Sequence, residues 1–157
     1  SFLTFASEKR FRLNKRRLGL FSKRKYKHLK KINIMAKFYK CRHCGNVIGK
    51  VVDSGVPVVC CGEKMEELVA NTVDASAEKH VPVVTKIDDC TIKVEVGSVA
   101  HPMQPEHHIS FIYVETENGG MRISLKDKPE ATFCVGTDKP VAVYEYCNLH
   151  GLWKTEL

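Results

Sequence analysis

The sequence predicts an all-β chain in two parts, a small four-cysteine metal-binding unit followed by an antiparallel β-sandwich. Three observations carry this. Cys41-Arg42-His43-Cys44-Gly45 is followed, after fifteen residues from Cys44, by Cys60-Cys61-Gly62; short runs of alternating polar and apolar residues fill the rest; and no stretch has a convincing helical period.

The four-cysteine unit runs from residue 35 to about residue 70. A Cys-x-x-Cys turn followed by Gly45 lets two thiolates converge, and Cys60-Cys61 completes a tetrahedral set of four sulfurs. So short a segment buries little core, and metal bonds would supply much of its folding free energy. Zinc and iron both accept four sulfurs. The adjacent Cys60-Cys61 departs from the ordinary zinc ribbon, which repeats Cys-x-x-Cys in both halves. His43, inside the knuckle, reads as a surface residue.

Residues 70–79 read as a short linker. Beyond them, Thr91 to Val96 alternates, Ile109 to Val114 is more continuously apolar, Met121 to Leu125 alternates again, and Val141 to Tyr146 and Leu152 to Thr155 follow. Gly119-Gly120, Asp127-Lys128-Pro129 and Asp138-Lys139-Pro140 mark turns. Short strands at this spacing predict an antiparallel sandwich over residues 71–157. Cys90 and Cys134 fall in strand-like runs and read as buried structural thiols.

The histidines fall at strand ends and in loops: His80, His101, the pair His107-His108, and His150, three residues after Cys147. Loops at one end of a sandwich bring distant positions together. Neighbouring residues in a strand point to opposite faces, so only one of His107 and His108 is expected to be a ligand. Five protein ligands exceed zinc's usual four, whereas an octahedral iron would keep one position open.

CRHCG, VVCCGE, EKHVPV, HPM, EHHI and CNLHGLWK, in that order over residues 35–157, resemble the desulfoferrodoxin family, the two-iron superoxide reductases. The resemblance implies a desulforedoxin-like domain (35–70) holding one iron in Cys41, Cys44, Cys60 and Cys61. It implies an immunoglobulin-like sandwich (71–157) holding a second iron in His80, His101, His107 and His150, with Cys147 axial. Where relatives often carry an aromatic residue, this chain has His108, and His107 is taken as the ligand from its place in the motif. The resemblance further implies that superoxide takes one electron and two protons there and leaves as hydrogen peroxide. Glu78 and Lys79 match the family's glutamate and lysine beside the first histidine ligand. Lys79, a cation next to a ligand, is expected to steer the anion, and the resemblance implies that Glu78 occupies the sixth position of the ferric state. Rubredoxin or a similar small carrier is the implied electron donor, and a homodimer the implied assembly.

The net charge of +7 suggests nucleic acid, but its distribution argues otherwise. Residues 1–34 hold twelve Lys or Arg against Glu8 alone, giving +11; residues 35–157 hold thirteen against seventeen acidic residues, giving −4. Composition changes abruptly at Met35-Ala36-Lys37, which reads as a start, so residues 1–34 are expected to be a basic extension outside the native fold. Neither nucleic acid nor membrane is expected as a partner, since no run reaches the roughly 20 apolar residues of a spanning helix. Seven thiols and no secretory signal fit a reducing compartment, and a cytoplasmic location is expected. The rival readings are a zinc-ribbon nucleic-acid-binding module with the β domain as a platform, and a purely electron-transfer iron protein.

Overall fold

In the computed structural model, which describes residues 35–157, the chain opens with Lys37–Lys40 (β1) paired antiparallel to Val47–Lys50 (β2). Val59–Cys60 (β3) and Glu63–Lys64 (β4) form a small hairpin, and Glu66–Leu68 (β5) returns to the other edge of β1. The expectations for residues 1–34 lie outside the described residues.

Seven antiparallel strands follow: Pro82–Lys86 (β6), Thr91–Val96 (β7), Ile109–Thr116 (β8), Gly120–Ser124 (β9), Glu130–Cys134 (β10), Pro140–Cys147 (β11) and Gly151–Glu156 (β12). They make a three-stranded sheet, β10-β7-β6, and a four-stranded sheet, β12-β11-β8-β9. This three-plus-four layout is the immunoglobulin-like sandwich. Ile92, Val94 and Val96 of β7 face Ile112 and Val114 of β8 and Val143 of β11, with Phe133 of β10 among them. The alternation in β7 is thus the ordinary period-2 signal of a strand with one buried face.

β8 and β11 are buried on both faces, which explains their more continuous apolar character. Their inner face meets the other sheet. Their outer face carries Phe111, Tyr144 and Tyr146, and Phe38 of β1 packs into it. The Phe38 ring lies 5.4 Å from Tyr113, 5.6 Å from Tyr144 and 5.8 Å from Phe111, centre to centre. Glu115 fastens the same junction, accepting hydrogen bonds from the Ala36 backbone N–H and the Tyr144 hydroxyl, both at 3.0 Å. The first five strands therefore sit on the sandwich through an aromatic cluster, beyond what their metal ligands supply.

Three expectations change. The segment read wholly as linker ends in one helical turn, Ala77–His80 (α1), closed by Lys79 N–H to Ser76 O (3.1 Å) and Val81 N–H to Ala77 O (2.9 Å). Pro82 forces Val81 into extended backbone and stops it. Second, β6 and β10 had no clear sequence signal. Both are edge strands with largely exposed side chains, so no apolar alternation is required of them. Third, Cys90 and Cys134 are exposed rather than buried. Cys134 ends the edge strand β10, and Cys90 lies in the turn before β7, its thiol directed at Asp88 Oδ1 (3.3 Å).

Candidate metal centres

Cys41, Cys44, Cys60 and Cys61 converge, with all four sulfurs within 4.8 Å of one another. Cys44 Sγ is 3.6 Å from Cys60 Sγ, which in turn is 3.9 Å from Cys61 Sγ. Tetrahedral thiolates at a metal–sulfur distance of about 2.3 Å stand about 3.8 Å apart, so the spacing fits. Adjacent residues in a strand would point apart. Cys61 escapes this by adopting the left-handed region (φ 52°), followed by Gly62 at φ 83°, and both thiols of the pair then face one point. On the other side Gly45 (φ 75°) closes the Cys41–Cys44 turn, its N–H donating to Cys41 O at 3.1 Å. The thiols compete for ionisation. Cys41 is drawn down to about 6, chiefly by the Cys44 backbone N–H, whereas Cys61 is pushed up to about 12 by its neighbours, Cys44 foremost. Four thiolates share such a space stably only around a cation. His43 is exposed, its Nε2 3.1 Å from Glu63 Oε2.

The second group is His80, His101, His107, Cys147 and His150, whose ligand atoms also lie within 4.8 Å of one another. They arrive from four places: the end of α1, the loop after β7, the approach to β8, and the turn joining β11 to β12. Backbone carbonyls fix two tautomers. His80 Nδ1 donates to Ser76 O at 2.8 Å and His101 Nδ1 to Pro102 O at 2.6 Å, which leaves both Nε2 lone pairs facing inward. His80 Nε2 is 3.0 Å from His150 Nδ1, and Cys147 Sγ is 3.5 Å from His150 Nδ1 and 3.6 Å from His101 Nε2. Donors at right angles around a metal at about 2.1–2.3 Å stand about 3 Å apart. His107 Nε2 is buried with no hydrogen-bond partner in the described residues, which is costly for a polar atom unless it binds something. The donor set therefore fits a metal, through three Nε2 atoms, one Nδ1 and one sulfur.

Burial favours the neutral imidazole at three of these positions. Burial lowers His80, His101 (to about 4) and His107, and the Lys79 charge acts in the same direction on His80 and His107. Burial pushes the Cys147 thiol up, while the backbone N–H groups of His150 and Leu149 favour its thiolate; the His150 N–H lies 3.4 Å from the sulfur.

His108 turns away from this group. It is half-buried, with Nδ1 3.2 Å from the carbonyls of Gln104 and Pro105. Glu78 and Lys79 are exposed on α1, directly before His80. The Glu78 carboxylate is held below its ordinary range by its own backbone N–H and the Ser76 side chain.

Two contributors carried little sequence signal. Asn148 staples the Cys147–His150 turn to the preceding loop, accepting from His108 N–H (2.9 Å) and donating to Glu106 O (2.9 Å). Trp153 stacks on the His80 ring (4.9 Å, 19°), and its indole N–H donates to His150 O (3.1 Å). An Asn in a turn and a Trp in a strand are common, and only the fold reveals what they hold.

A closed four-thiolate site on a small β unit, beside a four-histidine, one-cysteine site at the end of an immunoglobulin-like sandwich, defines a two-centre non-haem metalloprotein. The Desulfoferrodoxin family model matches residues 72–156. The chain is 48% identical over 120 residues to a desulfoferrodoxin of Nitratidesulfovibrio vulgaris, covering 75% of this chain and 94% of that one. It is 36% identical over 103 residues to a superoxide reductase of Pyrococcus horikoshii, covering 54% and 90%. Among solved structures, the superoxide reductase from Treponema pallidum superposes with a TM-score of 0.66 at 37% identity, covering 78% of this chain and 99% of that one. The chain belongs to the desulfoferrodoxin family.

Proposed function

We propose that this chain is a superoxide reductase (EC 1.15.1.2), converting superoxide to hydrogen peroxide at the four-histidine, one-cysteine site of residues 71–157. The four-sulfur site of residues 35–70 is the accessory electron-transfer centre. The observation that carries the reading is the convergence of five neutral or thiolate donors, one more than zinc's usual four, with tautomers preset by backbone carbonyls. Iron held there would supply the single electron that, with two protons, converts superoxide to hydrogen peroxide.

The residues do the rest. His80, His101, His107 and His150 would hold the metal through ring nitrogens and Cys147 through its sulfur, and the anionic thiolate would enrich the metal in electron density, as thiolates do in haem enzymes. Lys79 draws the anionic substrate toward His80 and His107, which already feel its charge. Glu78, in the same exposed turn, would be the carboxylate available to the site as a further ligand. The four-sulfur site has no free position for substrate and passes electrons from a small external carrier such as rubredoxin. A homodimer in the cytoplasm is the assembly and location this reading carries.

Metal analysis and an absorption spectrum of the reduced protein, before and after superoxide, test it. The expected result is coloured, iron-containing protein that consumes superoxide and forms peroxide without releasing dioxygen. Colourless zinc protein, or dioxygen release, refutes it. Among the described residues no helix is long and apolar enough to cross a membrane.

A further inference from the structure

Trp153, the one tryptophan of the chain, is buried and sits in β12 in register with Glu145 of β11. Its place is therefore set by the sheet and not by a loop. From there it meets two of the four histidines of the second site. The indole lies against the His80 ring, 4.9 Å between centres and 19° from parallel, and its N–H donates to His150 O at 3.1 Å. Those two histidines are 70 residues apart in the chain and belong to different elements, the end of α1 and the turn between β11 and β12.

Each contact removes a freedom that the other bonds leave. His80 Nδ1 donates to Ser76 O at 2.8 Å, which fixes the direction of one ring edge but lets the plane swing about that bond. A nearly parallel indole stops the swing. At His150 the N–H is already held, 3.4 Å from the Cys147 sulfur, and the indole takes the carbonyl of the same residue, so the backbone is anchored on both sides of the imidazole. The result is that His80 Nε2 and His150 Nδ1 face each other at 3.0 Å.

Resting on the reading of this site as a metal centre, we propose that Trp153 is a positioning residue that presets His80 and His150 as a pair, the first through the face of its indole and the second through its N–H. The centre then takes up metal without having to order these two ligands, and the entropy of ordering them is not lost at binding. Residues that orient metal ligands from behind are worth about 10–100-fold in metal affinity. Trp153 acts through its two histidines and touches neither metal nor substrate. Neither contact involves a ligand of the four-sulfur site, which makes that site an internal reference in the same chain.

The test is chelator competition on the iron-loaded full chain, with each centre followed by its own absorption and electron paramagnetic resonance signals. Trp153→Phe keeps an aromatic face for His80 and deletes the N–H donor; Trp153→Leu deletes both. Iron at the histidine–cysteine centre is expected to bind about tenfold more weakly in the Phe variant and up to about a hundredfold more weakly in the Leu variant. The ferric signals of that centre should broaden as the ring orientations spread, while the four-sulfur centre keeps its wild-type affinity and spectrum. A residue that merely filled space would loosen the two centres together. Equal weakening of both centres, or wild-type affinity and spectrum at the histidine–cysteine centre, overturns the proposal, and the Phe variant decides alone if the Leu variant does not fold. Iron content of the wild type is measured first. A wild type that holds no metal among the histidines refutes the proposed function and this inference with it, whereas iron-loaded variants with unchanged affinity refute the inference alone.

Discussion

Glu145 is fully buried on the core-facing side of β11, in step with Val143 and Cys147, and neither carboxylate oxygen has a partner among the described residues. Burial lifts its carboxyl from the ordinary 4.5 to about 9. The sign of the consequence follows from linkage. Between about pH 4.5 and about 9 the folded chain keeps a proton that the unfolded chain releases, so stability falls as pH rises across that window. One proton contributes about 1.36 kcal/mol per pH unit, hence up to about 4 kcal/mol between pH 5 and pH 8. Glu145→Gln is nearly isosteric and cannot ionise, so it lacks this loss. Thermal unfolding of wild type and variant at the two pH values, followed by circular dichroism with iron loading matched, isolates the effect as a double difference. Histidine protonation at low pH is common to both proteins and cancels. The variant should gain on the wild type by on the order of 10 °C on going from pH 5 to pH 8. A difference in melting temperature that is the same at both pH values would show that Glu145 is ionised or solvated in the fold, and the argument would be wrong.

Lys79→Glu should slow the second-order reaction with superoxide at low ionic strength while leaving iron bound, with a smaller gap at high salt as screening takes over; rapid-mixing rates that match wild type at low salt contradict the steering role. Cys147→Ser should abolish most reactivity while the apparent melting temperature changes little, because serine nearly matches the cysteine in size and the sandwich core it belongs to is filled mainly by Val94, Val96, Ile112, Val114 and Val143; denaturation in step with lost activity contradicts it. Phe38→Ala should destabilise the chain by roughly 3–5 kcal/mol, the usual cost of emptying a buried aromatic site. Denaturant titration checks this, and a cost below about 1 kcal/mol would mean that the aromatic junction does little to seat the first strands.

Local chemistry made much of the candidate site legible. Cys41 and Cys44 announce a metal knuckle because two thiols at that spacing have few other uses, and EKHVPV, HPM and CNLHGLWK mark the remaining ligands because each motif is read within a few residues. Strands with one buried face, such as Thr91–Val96, show their period directly. The edge strands β6 and β10 stayed hidden because exposed side chains are free to be polar. Cys90 and Cys134 were misread for a related reason: a thiol's burial depends on which sheet edge it reaches, and sequence spacing does not contain that.

By itself the sequence determined the all-β class, the family and the candidate ligands apart from the choice within the 107–108 pair, since these depend on residue types within short windows. Tertiary structure alone decided which histidine of the 107–108 pair turns inward, how Cys61 bends to face its neighbours, and that Phe38 and Lys40 of the first strand rest on the aromatic face of β11. Those outcomes come from contacts between residues far apart in the chain, such as Lys40 with Tyr146 and Asn148 with Glu106, whose energies exist only once the sheets have packed.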